Sequence, residues 1–211
     1  MSMKIDIHSH TERYSPCSII SPPELVMATL SAGLDGLVIT EHNRTWPARE
    51  LRALRDSLDL PEEFFLASGQ EVDTDLGHVL IYGCNINFGI NRHWREVIRI
   101  TKEERGAAVL AHPFRWMPPV QKEDFENFLL EFDAIEVMSA NLNREAQEYG
   151  LEKAGSLGIP QVGGSDAHAK NMAGTYYTNF IDPVNTIEDL VRAIKTGRIK
   201  PGKLEDRNKN R

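Results

Sequence analysis

The sequence predicts an α/β protein whose strands close into a barrel, on three observations. Short β-branched-rich runs of strand length recur, amphipathic stretches of helical length lie between most of them, and histidines and carboxylates gather at the ends of the runs. Alternating β and α units imply a mainly parallel sheet, either closed or open and doubly wound. A barrel brings many strand ends to one mouth, whereas an open sheet spreads them along an edge. The scatter of polar strand ends over most of the chain therefore favours the barrel.

Strands are expected at residues 3–8, 35–40, 64–71, 78–83, 107–112, 133–138 and 160–166. In "MKIDIHSH", Met3, Ile5 and Ile7 face one way and Lys4, Asp6, His8 and His10 the other, so two imidazoles converge at the strand end. Helices are expected at 21–33, 119–132, 142–158 and 186–197, and another begins beside His93 and Trp94. The first has Ser21 as N-cap, prolines in its opening turn and Gly33 as its stop. The glycines of "GGSD" mark close backbone approach at a crowded strand end.

With 211 residues, 41% hydrophobic and 26% charged, the chain is long enough for one globular domain with a substantial core. No repeat or linker divides it, so the expected domain spans 1–197, and the basic segment 198–211 is read as a solvated, flexible tail. No apolar run reaches the roughly 18–20 residues of a membrane span, and the N-terminus has no leader pattern. Only Cys17 and Cys84 occur, in no paired motif, so free thiols, a cytoplasmic location and no membrane partner are expected. The net charge of −7 disfavours nonspecific duplex binding. Nothing sets the oligomeric state.

His8, His10, His42, His78, His112 and His168 all lie in or beside strand candidates, with Glu71 and Asp166 among them. Such a set is costly to desolvate unless cations bind it, and imidazole with carboxylate suits Zn, Mn or Fe. Asp166 and His168, two apart, can both face the mouth; Glu41 and His42, adjacent, cannot, so His42 is the expected ligand and Glu41 its support or a rim group. Asp6 either orients a ligand imidazole or pairs with Lys4 or a backbone amide. Trp46, Trp94 and Trp116 are expected to pack, with Trp116 beside Arg115 a possible pocket wall. Phosphate-loop, dinucleotide and serine-hydrolase motifs are absent from the sequence.

The segments "DIHSH", "GLDGLVITEHN", "GQE", "GHVLIYG", "LAHPFRW", "AIEVMSA" and "GGSDAH" resemble, in order, the motifs of the PHP (polymerase and histidinol phosphatase) superfamily over residues 3–168. The resemblance implies a distorted TIM-like barrel of seven β/α units with two or three divalent metal ions at its mouth, and metal-dependent phosphoester hydrolysis. It makes His8, His10, Glu71 and Asp166 ligands of one metal and Glu71, His78 and His112 ligands of the next, with Glu71 bridging. His42 and His168 match a third site. Its remaining ligand, commonly Asp or His a few residues after the HxH motif, has no counterpart in "TERYSPCS"; Glu12 or Cys17 can substitute, although Cys17 is more simply a buried thiol.

The implied reaction is attack of a metal-held hydroxide on a small phosphorylated metabolite or nucleotide, with His168 or a water protonating the leaving group. Arg115, three residues past His112, either grips phosphoryl oxygens or is an exposed loop arginine, and Glu136 either supports the ligands or pairs structurally. A phosphodiesterase acting on nucleic acid is the alternative, less favoured by the acidic charge; a noncatalytic metal-binding module is the third reading.

Overall fold

A computed structural model describes residues 2–115 and 125–205. Trp116 and the first part of the helix expected at 119–132 lie outside the described residues. Those described form ten strands and six helices in two five-stranded sheets. The first sheet contains β1 (Met3–Asp6), β2 (Gly36–Ile39), β3 (Phe65–Ser68), β9 (Tyr176–Phe180) and β10 (Ile199–Lys203), in the order β10-β9-β1-β2-β3. The second runs β4 (Gln70–Thr74), β5 (Gly77–Tyr82), β6 (Ala107–Leu110), β7 (Ala134–Met138), β8 (Gln161–Gly163) in that order.

The α/β class is as expected, but neither sheet is closed, and the strands are not all parallel. β1-β2-β3 and β6-β7-β8 are parallel runs; β4-β5-β6 and β1-β9-β10 pair antiparallel. The run expected at 64–71 breaks at Gly69, where the chain passes from one sheet to the other; a Cβ there would stand 2.7 Å from the Ile81 carbonyl. On the far side a side chain stands in for ladder bonds, since Thr178 Oγ1 accepts from Gly163 N at 3.0 Å and donates to Gly163 O at 2.8 Å.

The helices follow their local signals. α1 (Pro22–Ser31) starts after Ser21, whose N–H and hydroxyl donate to Glu24, and stops at Gly33 with φ 83°. α2 (Ala48–Ser57) was not expected from the sequence, and α3 (Trp94–Glu103) takes His93 as N-cap, its Nδ1 accepting from Arg95 N at 3.2 Å. α4 (Phe125–Leu129), α5 (Arg144–Ser156) and α6 (Ile187–Lys195) complete the set, α5 capped by Asn143 and α6 by a Thr186/Asp189 box. The core lies between the sheets, with Ile5, Ile7, Val38, Leu80, Val109 and Val162 among its fully buried members.

The expected tail boundary at 198 is corrected: Ile199–Lys203 is strand β10, paired with β9 along its length, and Arg198 forms an ion pair with Asp182. Pro201 is compatible with a strand because β10 is an edge, where a missing N–H costs no ladder bond.

Gly164 carries the close approach expected of "GGSD". A Cβ there would lie 2.5 Å from His8 Cβ and 3.0 Å from Glu136 Oε1. Gly164→Ala is expected to push β1 from β8 and to lower stability by about 1–3 kcal/mol. A chemical-denaturation midpoint equal to wild type would show that this contact is not tight.

Candidate metal centre

The two parallel runs aim His8 and His10 (after β1), His42 (after β2), His112 (after β6) and Asp166 and His168 (after β8) at one end of the molecule. The antiparallel β4–β5 pair completes the set, with Glu71 on β4 and His78 near the start of β5. All eight expected ligand residues are thus brought together. Their donor atoms gather as His8/His10/Glu71/Asp166, as Glu71/His78/His112 and as His10/His42/His168, with a further group of His8, His112 and Glu136.

The first group is almost wholly buried. His8 Nε2 lies 3.2 Å from His10 Nε2, 3.4 Å from Glu71 Oε2 and 3.3 Å from Asp166 Oδ1; His10 Nε2 lies 3.1 Å and 3.2 Å from the same two oxygens. Donor atoms about 2.05 Å from one ion stand about 2.9 Å apart at right angles and about 3.4 Å apart at the tetrahedral angle. The observed contacts fall in that interval. Asp166 Oδ1 is buried with no hydrogen-bond partner, as expected of an oxygen that faces a cation.

The outer nitrogens are occupied, which leaves Nε2 inward. His8 Nδ1 lies 2.9 Å from Glu136 Oε1, and Glu136 Oε2 also accepts the His112 N–H at 3.0 Å. His10 Nδ1 faces Ser15 Oγ at 3.4 Å, and Ser15 donates to Glu41. Glu41 is fully buried and also accepts from Thr11 and from Trp46 Nε1 at 3.0 Å, so it supports the site from outside and is no rim group. Asp6 accepts backbone N–H groups from His8, Ser165 and Gly174 and orients no imidazole; burial pushes its pKa up to about 6.

Glu71 divides between groups. Its Oε2 faces His8 and His10, while its Oε1 lies 2.8 Å from His78 Nδ1 and 3.1 Å from His112 Nε2. In the third group, the His168 Nδ1 is 2.9 Å from the Asp166 carbonyl, which leaves Nε2 as its free donor. There the structure supplies His10 as the neighbour of His42 and His168. Glu12 turns to a surface cleft with Arg13, Trp46 and Glu50, and Cys17 is exposed, not buried as expected; neither joins a ligand group among the described residues.

Two polar partners escaped sequence reading. Asn141 donates from Nδ2 to Asp166 Oδ2, and Asp73 contacts both His42 and His78. Asp73 shares parity with Glu71 on β4, a signal available in "EVD"; Asn141 follows β7 and had none. Arg115 is exposed, its N–H donating to the His112 carbonyl at 3.0 Å.

A family model described as PHP-associated matches residues 141–199. The chain is similar in fold to a two-domain protein from Bacteroides vulgatus containing a predicted PHP-like metal-dependent phosphoesterase, at TM-score 0.70 and 16% identity over 96% of this chain and 65% of that one. The chain is thus similar to PHP-type proteins in its overall fold and in its segment 141–199. Other solved structures compare similarly. PsfC from Pseudomonas syringae has TM-score 0.70 and 19% identity, over 96% of this chain and 92% of its own. The lesion-specific endonuclease PfuEndoQ from Pyrococcus furiosus has TM-score 0.63 and 17% identity, over 95% of this chain and 58% of its own. No curated protein matches by sequence. The chain spans just under two thirds of the Bacteroides protein. No helix among the described residues is long and apolar enough to cross a membrane.

Charge in this site is unbalanced toward protons. Burial opposes a charge on His8, but Glu136, Asp166 and Glu71 outweigh it and hold its pKa well above the ordinary value. Burial likewise opposes charging of His10, and its close contacts with the Asp166 and Glu71 carboxylates overcome it, raising its pKa to about 9. Against their burial, Glu71 and Asp166 are held below the ordinary range, first by the His8 charge. The raised values favour protons on these imidazoles in the metal-free protein, and a cation that binds there displaces them. Titrating metal-free protein with Zn²⁺ in weak buffer is therefore expected to acidify the solution, with apparent affinity rising with pH until about 9. Zn²⁺ binding without proton release, or tighter binding in acid, would contradict this charge balance.

Proposed function

We propose that the protein is a metal-dependent phosphoesterase that hydrolyses a small phosphorylated metabolite or nucleotide with two or three divalent cations, Zn, Mn or Fe. The observation that carries the reading is the divided carboxylate of Glu71, whose two oxygens face two separate imidazole groups. Paired cations there supply an activated water nucleophile near neutral pH and neutralise charge on phosphoryl oxygens.

The chain's own residues then have distinct tasks. His8, His10, Glu71 and Asp166 hold one cation and Glu71, His78 and His112 the next. Glu136 and the Ser15–Glu41 pair fix the His8 and His10 rings. His42 and His168, with His10, form the third group. In the metal-free protein, burial and the charge on His10 keep the His168 pKa below its ordinary value. In this reading His168 either joins His10 and His42 as a ligand or gives a proton to the leaving group. Arg115, in the turn after His112, grips phosphoryl oxygens in this reading.

Phosphodiesters are the second reading, supported by the fold shared with an endonuclease. Assays in parallel on p-nitrophenyl phosphate, bis-p-nitrophenyl phosphate and a short oligonucleotide separate the two; turnover is expected to be fastest on the monoester. Faster cleavage of the oligonucleotide would replace the first reading with the second. Glu71→Gln and His112→Ala are each expected to lower kcat by about 10²-fold or more with the circular dichroism spectrum unchanged. Full activity in either folded variant would remove the residue from the mechanism.

A further inference from the structure

Asp73 stands opposite His78 in the β4–β5 ladder, on the same strand face as Glu71. Asn43, the residue after His42, lies alongside it with φ 57°, a left-handed conformation that asparagine tolerates. Its N–H donates to the Glu71 carbonyl at 2.7 Å, and its side chain extends that pairing by one residue. Asn43 Oδ1 accepts the Asp73 N–H at 2.9 Å, while Asn43 Nδ2 donates to Asp73 Oδ2 at 2.6 Å. This double clasp fixes the carboxylate and leaves Oδ1 toward the site. Two imidazoles reach that oxygen: His42 Nδ1 at 3.2 Å and His78 Nε2 at 3.4 Å.

An imidazole that binds a cation through one nitrogen carries its proton on the other, and the partner of that N–H sets ring orientation and basicity. His78 turns Nδ1 to Glu71 Oε1 at 2.8 Å, so its proton belongs on Nε2, facing Asp73. His42 turns Nδ1 to the same Asp73 oxygen, which leaves Nε2 for the group with His10 and His168. One carboxylate therefore serves an imidazole from each of two neighbouring groups. His8 and His10 have separate outer partners in Glu136 and Ser15.

We propose that Asp73, clasped by Asn43, is a shared positioning residue that fixes which ring nitrogens of His42 and His78 face a cation. It thereby raises affinity both at the Glu71–His78–His112 group and at the His10–His42–His168 group. The inference rests on the reading that these groups hold divalent cations.

Calorimetric titration of metal-free wild type, Asp73→Asn and Asn43→Ala with Mn²⁺ tests it, with electron paramagnetic resonance to detect spin coupling between adjacent Mn²⁺ ions. In Asp73→Asn the tightest equivalent is expected to bind as in wild type. The remaining equivalents weaken by about 10–100-fold, and the spin-coupled signal is lost at Mn²⁺ concentrations that saturate wild type. Asn43→Ala shifts the same equivalents in the same direction by less. Unchanged affinity for every equivalent in Asp73→Asn overturns the inference and leaves the metal reading standing. Equal weakening of all equivalents together with a lowered Tm overturns it too, since Asp73 would then support the fold at large. A wild type that takes up only one Mn²⁺ overturns it as well, because neither group would then fill. No Mn²⁺ uptake by wild type overturns the metal reading itself, and this inference with it.

Discussion

The structure turns on one buried carboxylate. Glu71 is 1% exposed, and its two oxygens face different sets of imidazoles. Removing a carboxylate from water costs several kcal/mol even after relaxation, and a lone charge in such a place would instead take up a proton. Here the surrounding nitrogens hold it ionised. Because those nitrogens come from the ends of β1, β5 and β6, the charge balance at one side chain constrains the relative placement of both sheets. A fold that spread these ends by a few ångströms would leave both the carboxylate and the imidazoles unpaired.

That constraint fits the antiparallel placement of β5. Parallel runs deliver ligands only from strand C-terminal ends, and His8, His42, His112 and Asp166 arrive in that way. A strand running the other way brings its opening residues to the same mouth. His78 is the second residue of β5, which is antiparallel to both of its neighbours, and its register opposite Asp73 sets its reach to Glu71. The hairpin thus places Glu71 and His78 by ladder geometry, which is stiffer than a loop.

The clustered set was legible in the sequence because it depends on local parity and on residue chemistry: HxH after an alternating strand, DxH after paired glycines, single histidines at apolar run ends. The expectation of a mainly parallel sheet failed where local pattern carries no direction. "GHVLIYG" reads as the same strand whichever way it pairs, and only the short link from β4 to β5 reveals the reversal. "TYYTNF" was passed over after the metal motif, and "RIKPGK" reads as a tail because its proline and charges suit solvent; pairing with β9 decides otherwise. The outer partners were harder still. Glu136 was anticipated as a support and Asp73 shares the parity of Glu71, but Asn141 acts through a contact to Asp166 from a distant segment, and sequence distance hides it.

Backbone strain follows the same logic. His112 and Asp166 have φ of 29° and 49°, in the left-handed region that side-chain-bearing residues seldom adopt, and such positions cost about 1–3 kcal/mol each. Both are restrained by hydrogen bonds to other site residues: the His112 N–H donates to Glu136 Oε2 at 3.0 Å, and the Asp166 N–H donates to the His8 carbonyl at 2.7 Å. Glu136 in turn faces His8. His8, Glu136, His112 and Asp166 therefore form a linked set in which each strained ligand is held by the partner of another. Loosening one relaxes its neighbours. Such a site has little freedom to adapt one ligand at a time, so the spacing of its donor atoms is a property of the whole assembly of strands.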